Sequence, residues 1–472
     1  MHRRVLPEEK HFHHPNPAQV LVFGFAILIA IGTALLASPV ATRMNQPPLT
    51  FMQALFTATS ASCVTGLSVF DPGATLTLYG QIVLLCLIQV GGLGFMTITA
   101  FFLASAKRHF SLEGEIILRE SLSESGFSGL MSLAVRIIRV TALFEGAGAL
   151  LCMLVFIPRH GVAKGIFISL FHAISSFCNA GFDILGSGNN LVPYVNDPLI
   201  NIVTDVLIIA GGLGFFVILE CWDKTKDRFR KLISPKKHPE WIKPLSLHSR
   251  VVLWLSGVLI VAGFLCYLIA EGSNPLTLGG PEDTLQKKVL GSLFQSVSTR
   301  TAGFMTFLQS DMLGVSKVIT VILMFIGASP AGTGGGVKTT TTAIVFLSVW
   351  STLKGRRDVN LWKRRIAPPL VSRAVATFTI GVFVVVAVAS AISVLEPEIA
   401  LGDIIFETAS AFGTVGLSAG ITASLSIPSQ ILLVITMLGG RVGFFTLTVA
   451  LAVRMSDTEP NVRYPIERIM IG

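Results

Sequence analysis

A glycine-rich stretch followed by lysine and threonine is the part of the sequence most suggestive of chemistry. It reads IGASPAGTGGGVKTTTTAIV over residues 326–345, with Lys338 and Thr339 after the last glycines. A phosphate-binding Walker A loop reads G-x-x-x-x-G-K-[ST] and lies between a strand and a helix. Here Val337 precedes the lysine, and both flanks are long apolar runs rather than parts of a βαβ unit. The nucleotide-site interpretation therefore fails on pattern and on context.

A second set of glycines suggests ion coordination by the backbone. Four stretches read FTATSASCVTGL (56–67), FHAISSFCNAGF (171–182), FQSVSTRTAGF (294–304) and FETASAFGTVGL (406–417). Each begins with Phe, carries Ser four residues later, and closes on a glycine followed by a large apolar residue. The closing glycines are Gly66, Gly181, Gly303 and Gly416, and the third copy is one residue shorter between its serine and its glycine.

The repeated glycines have a physical interpretation. Glycine readily adopts the backbone geometry that turns a carbonyl toward an axis. Rings of backbone carbonyls replace the hydration shell of an ion in cation pores. Unrelated tight turns between helices would not recur four times in register, so the pattern favours a pore with four filter loops.

Each copy lies between two apolar spans. The leading spans are about 18–38, 133–157, 250–270 and 372–395, and the trailing spans are about 78–104, 199–222, 313–349 and 429–453. An apolar run of about 18 residues or more can cross a bilayer. We therefore predict an all-α polytopic membrane protein of four repeats around a pseudo-fourfold central pore. Each repeat contributes two full spans and one short pore helix, eight full spans in all.

Composition and charge agree with a membrane protein. Charged residues make up 13% of the 472 positions, apolar residues 52%, and the formal net charge is +9. The mean hydropathy is +0.72. The basic residues cluster in short segments between spans, at 223–243 and 354–366. That clustering is the positive-inside pattern rather than a nucleic-acid surface, and it places these loops and both termini in the cytoplasm.

These patterns predict the organisation of the chain. It runs as a cytoplasmic tail (1–17), repeat 1 (18–110), a cytoplasmic linker (111–132), repeat 2 (133–222), a basic linker (223–249), repeat 3 (250–353), a second basic linker (354–371), repeat 4 (372–454) and a cytoplasmic C-terminal tail (455–472). The start of the chain lacks the pattern of a cleaved signal peptide.

The glycine-rich stretch belongs to the trailing span of repeat 3. Met312 to Leu353 is 42 residues, about twice the roughly 20 that one span needs. We therefore expect a broken span, with residues 327–338 as irregular backbone within the membrane. Broken membrane helices with Gly or Pro tend to mark ion sites or moving parts. The alternative is a simple kink at Pro330.

Charged residues at membrane depth form a further set of candidates. Arg441 lies in MLGGRVGFF, where a buried charge costs about 2.5 to 3.5 kcal/mol unless it is paired or faces water. We expect it to face the pore. Lys338 either acts in the same way or reaches the interface from a helix end.

Other polar residues have open roles. Glu145, Asp205, Glu220 and Glu407 would pair with buried arginines or serve the pore. Arg300 is expected to hold the third filter loop, and His172 to make a structural hydrogen bond. Asp71 and Asp183 would collect cations at the outer mouth or remain ordinary solvated carboxylates.

The sequence resembles a known family. TVGL at 414–417 resembles the potassium-channel filter signature, and the four-repeat layout is similar to the Trk/Ktr/HKT superfamily, closest to the bacterial KtrB-type membrane subunit. FHAISSFCNAGFD, RTAGF and FETASAFGTVGLS carry the likeness within a match from 17–25 to 463–472. It implies potassium uptake across the bacterial cytoplasmic membrane. A sodium-permeable or sodium-coupled member is the alternative, although Gly66, where sodium-transporting relatives have serine, favours potassium.

The resemblance also implies site residues and partners. The implied potassium filter comprises Val64, Thr65, Gly66, Asn179, Ala180, Gly181, Thr301, Ala302, Gly303, Thr414, Val415 and Gly416. The implied gate comprises Gly327, Ala331, Gly332, Thr333, Gly334, Gly335, Gly336, Lys338 and Arg441. The expected partners are a second copy of the chain and a cytosolic KtrA-like nucleotide-binding (RCK) ring, docked on the basic loops or the C-terminal tail. Potassium, or sodium as the alternative, is the transported ion, and no organic cofactor is expected.

Two other classes of protein fit the sequence less well. A secondary transporter with inverted repeats would carry broken helices in matching halves, whereas here all four repeats carry an equivalent filter motif. A membrane enzyme would need a nucleophile with its base, or a metal site, at membrane depth, and the sequence shows neither.

Overall fold

The computed structural model describes residues 17–94, 127–233 and 244–443, apart from residues 187, 282 and 357. The N-terminal tail, most of the 111–132 linker, part of the first basic linker and the C-terminal tail lie outside the described residues. So do the later parts of the first and fourth trailing spans.

The described chain is built almost entirely from helices. In chain order they are α1 (Pro17–Leu36), α2 (Phe51–Ser62), α3 (Pro72–Thr75), α4 (Leu78–Leu93), α5 (Phe127–His160), α6 (Val162–Cys178), α7 (Pro198–Leu213), α8 (Phe215–Ile233), α9 (Leu247–Glu271), α10 (Leu285–Ser298), α11 (Gly314–Phe325), α12 (Thr339–Leu353), α13 (Pro368–Leu395), α14 (Leu401–Gly413) and α15 (Ile427–Val442). A small hairpin of β1 (Asn360–Leu361) and β2 (Arg364–Arg365) precedes α13.

Four helices are long and apolar enough to cross a membrane. They are the leading helices of the four repeats, α1, α5, α9 and α13. One further span is possible within the described residues if α7 and α8, which meet at an angle of 105°, count as one. The expected eight spans therefore remain a prediction, since the described trailing helices α4, α11, α12 and α15 are too short to count alone.

Local sequence signals set the ends of several helices. The pore helix α2 begins after Thr50, whose hydroxyl accepts a hydrogen bond from the Gln53 N–H while the Gln53 side chain accepts one from the Thr50 N–H. This capping box pairs N–H groups that a helix start would otherwise leave free. Helix α7 begins with Asp197 as its cap and Pro198 in its first turn, where the missing proline N–H costs nothing.

The trailing helices stop at matching glycines. Helices α4, α7 and α15 end immediately before Gly94, Gly214 and Gly443, which have φ values of +82°, +90° and +92°. In repeat 3 the trailing helix is interrupted between α11 and α12 by residues 326–338. The predicted break in that span is therefore present in the fold.

The repeats pack in a closed order. Each leading helix packs on the pore helix of its own repeat: α1 on α2, α5 on α6, α9 on α10, and α13 on α14. Each trailing helix packs on the pore helix of the next repeat, as α4 does on α6, α7 on α10, and α11 on α14. Helix α15 of repeat 4 packs on α2 of repeat 1, which closes the circle. The phenylalanine that opens each pore motif is fully buried in all four repeats.

Candidate functional site

The four closing glycines meet in one ring. A Cβ atom placed on Gly66 would lie 2.4 Å from the carbonyl oxygen of Ala180, and one on Gly181 would lie 2.7 Å from that of Ala302. A Cβ on Gly303 would lie 2.1 Å from the Val415 oxygen, and one on Gly416 would lie 2.3 Å from the Thr65 oxygen. Each glycine therefore faces the backbone of the matching loop in the next repeat, in chain order and back to the first. These four loops are the predicted filter and are called the filter loops below. No other residue type fits this contact without moving backbone.

The backbone of each filter loop has the same alternation. Val64, Asn179, Thr301 and Thr414, two residues before the closing glycines, all have φ between 50° and 71°. The closing glycines themselves have φ between 69° and 97°. A non-glycine residue in this region costs on the order of 1–2 kcal/mol, and strain of this kind persists only where its surroundings impose it. Its recurrence in all four repeats shows that the surrounding structure imposes the same backbone geometry on each loop.

The repeated serine hydrogen-bonds the backbone of the filter loop in its own repeat. The hydroxyls of Ser60 and Ser410 accept hydrogen bonds of 3.0 Å from the N–H groups of Gly66 and Gly416. In repeats 2 and 3 the hydroxyls of Ser175 and Ser298 instead donate to the carbonyls of Phe182 and Phe304. Repeats 1 and 4 thus form one pair and repeats 2 and 3 another. The sequence showed that the serine recurs four residues after each phenylalanine, but not which backbone group it bonds.

The one-residue deletion in repeat 3 is absorbed at the end of its pore helix. Helix α10 ends on Ser298 itself, whereas α2, α6 and α14 continue two or three residues past their serines. The N–H groups of Ala302 and Gly303 both reach the Ser298 carbonyl, at 3.0 and 3.3 Å. The filter loop of repeat 3 therefore keeps its place in the ring.

The position after each opening phenylalanine carries four different side chains. In repeat 2 His172 hydrogen-bonds Thr204 at 2.8 Å, in agreement with the expected structural role. In repeat 3 Gln295 pairs with Gln309 at 2.6 Å. In repeat 4 Glu407 accepts hydrogen bonds from Ser418 and Thr422. The equivalent Thr57 hydroxyl has no hydrogen-bond partner among the described residues.

The glycine clusters of the trailing helices allow close packing on the pore helices. A Cβ on Gly91, Gly211 or Gly440 would lie about 2 Å from the carbonyl oxygen of Ser62, Phe177 or Phe412, respectively, at 2.1, 1.9 and 2.1 Å. These carbonyls belong to the last turns of the pore helices. The trailing helices can therefore approach the filter only because these positions lack side chains.

The glycine-rich loop of repeat 3 lies directly beneath the filter. The Gly335 N–H donates to the Thr414 hydroxyl at 3.0 Å, and the Thr333 hydroxyl donates to the Phe177 carbonyl at 3.1 Å. A Cβ on Gly334 would overlap the Thr301 hydroxyl. Thr301 of repeat 3 and Thr414 of repeat 4 therefore both contact the loop.

The loop is also bound to the end of the repeat 2 trailing helix. The Ser329 and Thr333 N–H groups donate to the carbonyls of Gly212 and Gly211, at 3.0 and 3.1 Å, and the Phe215 N–H donates to the Ala331 carbonyl at 3.0 Å. Within the loop, Gly327 bonds Val337 at 2.9 Å and Ala328 bonds Gly335 at 3.2 Å. These bonds define a folded structure that a simple kink at Pro330 would not produce.

Arg441 joins the loop to repeat 1. Its Nη1 donates to the Thr333 carbonyl, and its Nη2 donates to the Gly91 carbonyl and, at 3.3 Å, to that of Gly92. All four repeats therefore meet beneath the ring. Arg441 follows Gly440 as Gly92 follows Gly91, so the arginine occupies a position that is glycine in repeats 1 and 2.

Lys338 bonds within the loop rather than reaching out of the membrane. Its ammonium donates to the Gly334 carbonyl at 2.7 Å. This contact holds the ammonium within the loop, and the two roles predicted from the sequence stay predictions. The remaining predicted gate residues, Gly327, Ala331, Gly332 and Gly336, lie in the same folded segment.

The candidate carboxylates Glu145 and Glu220 have neutral hydrogen-bond partners among the described residues. Glu145 accepts from the Gln89 amide at 3.1 Å and from the Cys178 thiol, and Glu220 accepts from Ser246 and Ser249. Asp205 is buried, and its Oδ1 has no hydrogen-bond partner in the described chain. The expected pairing of these carboxylates with buried arginines is therefore absent from their described contacts. Arg300 instead donates to the Ser256 hydroxyl at 3.1 Å, which ties the third filter loop to α9.

A cavity of about 400 Å³ lies on the other side of the ring from the loop. The four closing glycines and the segments after them form its walls. Asp71 accepts hydrogen bonds from the N–H groups of Gly73, Ala74 and Gly188. It is therefore a helix cap and a link between repeats, a role that neither sequence interpretation included.

Asp183 is the second carboxylate at this cavity. It accepts a hydrogen bond from the Leu185 N–H at 3.0 Å. Burial raises the pKa of Asp183 to about 6; the hydrogen bond from Leu185 opposes this rise, and the nearby Asp71 adds to it. Its charge therefore changes near pH 6.

These features define a class of protein: a helical membrane protein in which four similar loops on one chain meet in a ring. The model of the family described as TrkH, cation transport protein, matches residues 9–461, so the chain belongs to the TrkH family. The predicted membership in the Trk and Ktr group is confirmed.

Individual relatives agree with that assignment. The chain is 38% identical over 460 residues to the potassium/sodium uptake protein NtpJ of Enterococcus hirae, with 97% of each chain covered. It is 36% identical over 457 residues to the Ktr system potassium uptake protein B of Bacillus subtilis, again with 97% of each covered. Its fold is similar to the crystal structure of the potassium transporter TrkH from Vibrio parahaemolyticus. There the TM-score is 0.67 at 19% identity, covering 94% of this chain and 87% of the other.

Proposed function

We propose that this protein takes up potassium across the bacterial cytoplasmic membrane through the ring of filter loops. The observation that carries the proposal is the closed contact of Gly66, Gly181, Gly303 and Gly416, each against the backbone of the next repeat. Carbonyl oxygens at such a ring can replace the water around a monovalent cation. Relatives named for potassium uptake, or for potassium and sodium uptake, support this cargo.

The pore helices supply part of the electrostatics. Helices α2, α6, α10 and α14 all end immediately before the filter loops. The C-terminal end of a helix carries about half a negative elementary charge. Four such ends facing one axis favour a cation there without requiring a carboxylate at membrane depth.

The glycine-rich loop is the proposed gate. It lies below the filter and is held by Thr414, Phe177, Gly211 and Arg441. To open the pore, the loop must release these contacts together. The two ends of the loop are joined by hydrogen bonds from Gly327 to Val337 and from Thr339 to Ala328. These bonds would stay in place, and the residues that make them would act as hinges.

The remaining expectations on assembly also enter as proposals. We propose a homodimer whose flux is set by a cytosolic regulatory ring of the RCK type; two relatives are named as proteins B and D of a Ktr potassium uptake system, which supports a separate regulatory component. The alternative cargo is sodium, alone or coupled to potassium, which the name of the Enterococcus relative supports.

The primary test is growth at limiting potassium. The chain should restore growth of an uptake-deficient bacterial strain, and a regulatory subunit should increase the rescue. Rubidium and sodium uptake, measured in the same cells, would separate the two cargo proposals. Membrane-inserted protein that moves neither ion would contradict the proposal.

The gate has its own test. Deletion of residues 331–335 removes the part of the loop that contacts Thr414, Phe177 and Arg441, so flux without the regulatory subunit should rise. Surface amount and thermal unfolding should be measured alongside, because only a folded variant is informative. Unchanged or lost flux in a folded variant would argue against a gate at this place.

A further inference from the structure

An apolar groove lies on the outer face of repeat 3, away from the pore. It has a volume of about 570 Å³ and runs between α9 and α12, closed at one end by the β1–β2 hairpin. Trp254, Phe346, Trp350, Leu361 and Trp362 are among its walls. Three of the five tryptophans of the chain therefore line a single groove.

The groove side chains are exposed to the surroundings of the protein. Trp254, Phe346 and Trp350 are 61%, 64% and 57% exposed. Tryptophan is enriched where an apolar membrane interior meets the headgroups, because its ring is apolar and its N–H is polar. The groove thus has the lining expected at the boundary between acyl chains and headgroups.

The hairpin brings a positive charge to the groove. Its turn residues Trp362 and Lys363 have φ values of +45° and +62°, the backbone sign that a tight two-residue hairpin turn requires. Arg364 lies directly opposite Leu361 in the ladder, so the two side chains leave the same face. Since Leu361 lines the groove, Arg364 lies at its rim.

A second cation lies at the end of α12. The Lys354 ammonium is 4.6 Å from the centre of the Trp350 ring. The segment 354–366 has six basic residues and one acidic residue, Asp358. Asp358 pairs with Arg365 at 2.8 Å, and Lys354, Lys363 and Arg364 have no ion-pair partner within the described ranges. The rim is therefore cationic and the groove below it apolar.

We propose that this groove binds an anionic phospholipid from the membrane leaflet on the side of the basic loops. The acyl chains lie along Trp254 and Phe346, and the phosphate lies near Lys354 and Arg364. The cationic rim matches the anionic headgroup of a phospholipid, and the apolar walls below it match the acyl chains. A second copy of this chain would cover the apolar walls but not neutralise the rim.

The position of the groove gives the lipid a consequence. Helix α12 begins at Thr339, immediately after the glycine-rich loop, and α9 is the leading helix of the same repeat. A lipid held between them restrains α12 relative to α9 and therefore one end of the loop. Binding itself does not depend on the proposed transport function.

Tryptophan quenching by brominated lipid tests the binding. The full chain carrying Trp222→Phe and Trp241→Phe keeps only the three groove tryptophans, and it would be placed in bilayers of phosphatidylcholine with brominated phosphatidylglycerol. Each basic residue near anionic lipid contributes about fivefold in binding. With Lys354 and Arg364 both near the phosphate, we therefore expect quenching to report phosphatidylglycerol enrichment of about 25-fold over the bulk, measured against brominated phosphatidylcholine.

Matched variants locate the preference. Lys354→Gln with Arg364→Gln should reduce the enrichment by about fivefold or more, whereas Lys226→Gln with Arg228→Gln, exposed basic residues on α8, should not change it. Equal quenching by the two brominated lipids would overturn the proposal, as would an equal loss in the control variant. Weak quenching by both lipids, together with chain-to-chain crosslinking of Trp362→Cys, would assign the groove to a dimer contact instead and also overturn it.

Discussion

The main-chain N–H of Gly335 donates to the hydroxyl of Thr414 at 3.0 Å. Gly335 belongs to the loop of repeat 3. Thr414 is the first residue of the predicted filter in repeat 4, and its φ is positive. The proposed gate and the proposed filter therefore share a hydrogen bond, and the loop cannot leave without freeing a filter hydroxyl. Filter geometry and gate position should accordingly influence each other.

The first prediction concerns Gly66. In Gly66→Ser a Cβ would lie 2.4 Å from the Ala180 carbonyl oxygen, and the residue would keep a φ of +96°. The first and second filter loops must then separate, and discrimination between potassium and sodium should weaken severalfold. Competition between sodium and rubidium in uptake assays measures this change.

Gly420→Ser is the matched control for this substitution. Gly420 has a φ of +94°, and a Cβ there meets nothing within 4 Å. The two variants therefore share the backbone strain and differ in the contact with the next repeat. Equal selectivity in both would show that the ring contact is not responsible.

The second prediction concerns Arg441. Lysine has a single ammonium and cannot reproduce a planar guanidinium whose two nitrogens bond different strands. Arg441→Lys should therefore free the loop from either Thr333 or the Gly91–Gly92 end, and flux without the regulatory subunit should rise. Arg441→Gln should raise it further. Lower flux in both variants, at unchanged protein amount and melting temperature, would contradict a role in closure.

The third prediction concerns the close approach at Gly211. A Cβ there would lie 1.9 Å from the Phe177 carbonyl oxygen, and forcing an extra methyl into a tight contact costs about 1–3 kcal/mol. Gly211→Ala should therefore lower the melting temperature of the detergent-solubilised protein by several degrees. Gly257→Ala, at a helix position where a Cβ meets nothing within 4 Å, should leave it unchanged or raise it. A similar melting temperature for both variants would mean that the helices can separate without cost.

The fourth prediction is a pH dependence at the outer cavity. Because the pKa of Asp183 is raised to about 6, the carboxylate is ionised above that pH and neutral below it. Cations should therefore enter the cavity less readily as the pH falls through about 6, and the KM for potassium should increase. Asp183→Asn should have the high KM at every pH and lose this dependence.

The same pKa gives a stability prediction with a defined sign. The folded protein holds the Asp183 proton more tightly than the unfolded chain, since the pKa rises from 3.8 to about 6. Ionisation is thus unfavourable to the fold, and its cost appears as the pH rises from about 4 to 6. Asp183→Asn should unfold at a higher temperature than the parent at pH 7 and at a similar temperature at pH 4. A constant difference between the two across this range would exclude the carboxylate as the cause.

The repeats were predictable because each copy must perform the same local task. The phenylalanine is buried and the closing glycine meets the next repeat in all four copies. The serine bonds its own loop in all four copies too, although in two different ways. A pattern imposed four times is visible in a single sequence. The break in the third trailing span was predictable from length alone, since 42 residues cannot form one span.

Contacts between distant parts of the chain were not predictable in the same way. The cluster glycines Gly91, Gly211 and Gly440 were visible, but not the pore-helix carbonyls opposite them, since nothing in the local sequence specifies a neighbouring helix. The same limit applies to Asp71, which bonds Gly188 across 117 positions. Glu145 likewise has an amide and a thiol from two other helices where an arginine was expected.

The four repeats that form the ring belong to one polypeptide, and this has an evolutionary consequence. In a pore assembled from identical subunits, any substitution enters four times and must suit every quadrant at once. Here Thr57, His172, Gln295 and Glu407 occupy one repeated position with four unlike side chains, and Arg441 replaces glycine in one quadrant only. Because the four repeats belong to one chain, each can change without the other three. A loop contributed by a single repeat can therefore evolve next to a ring to which all four repeats contribute.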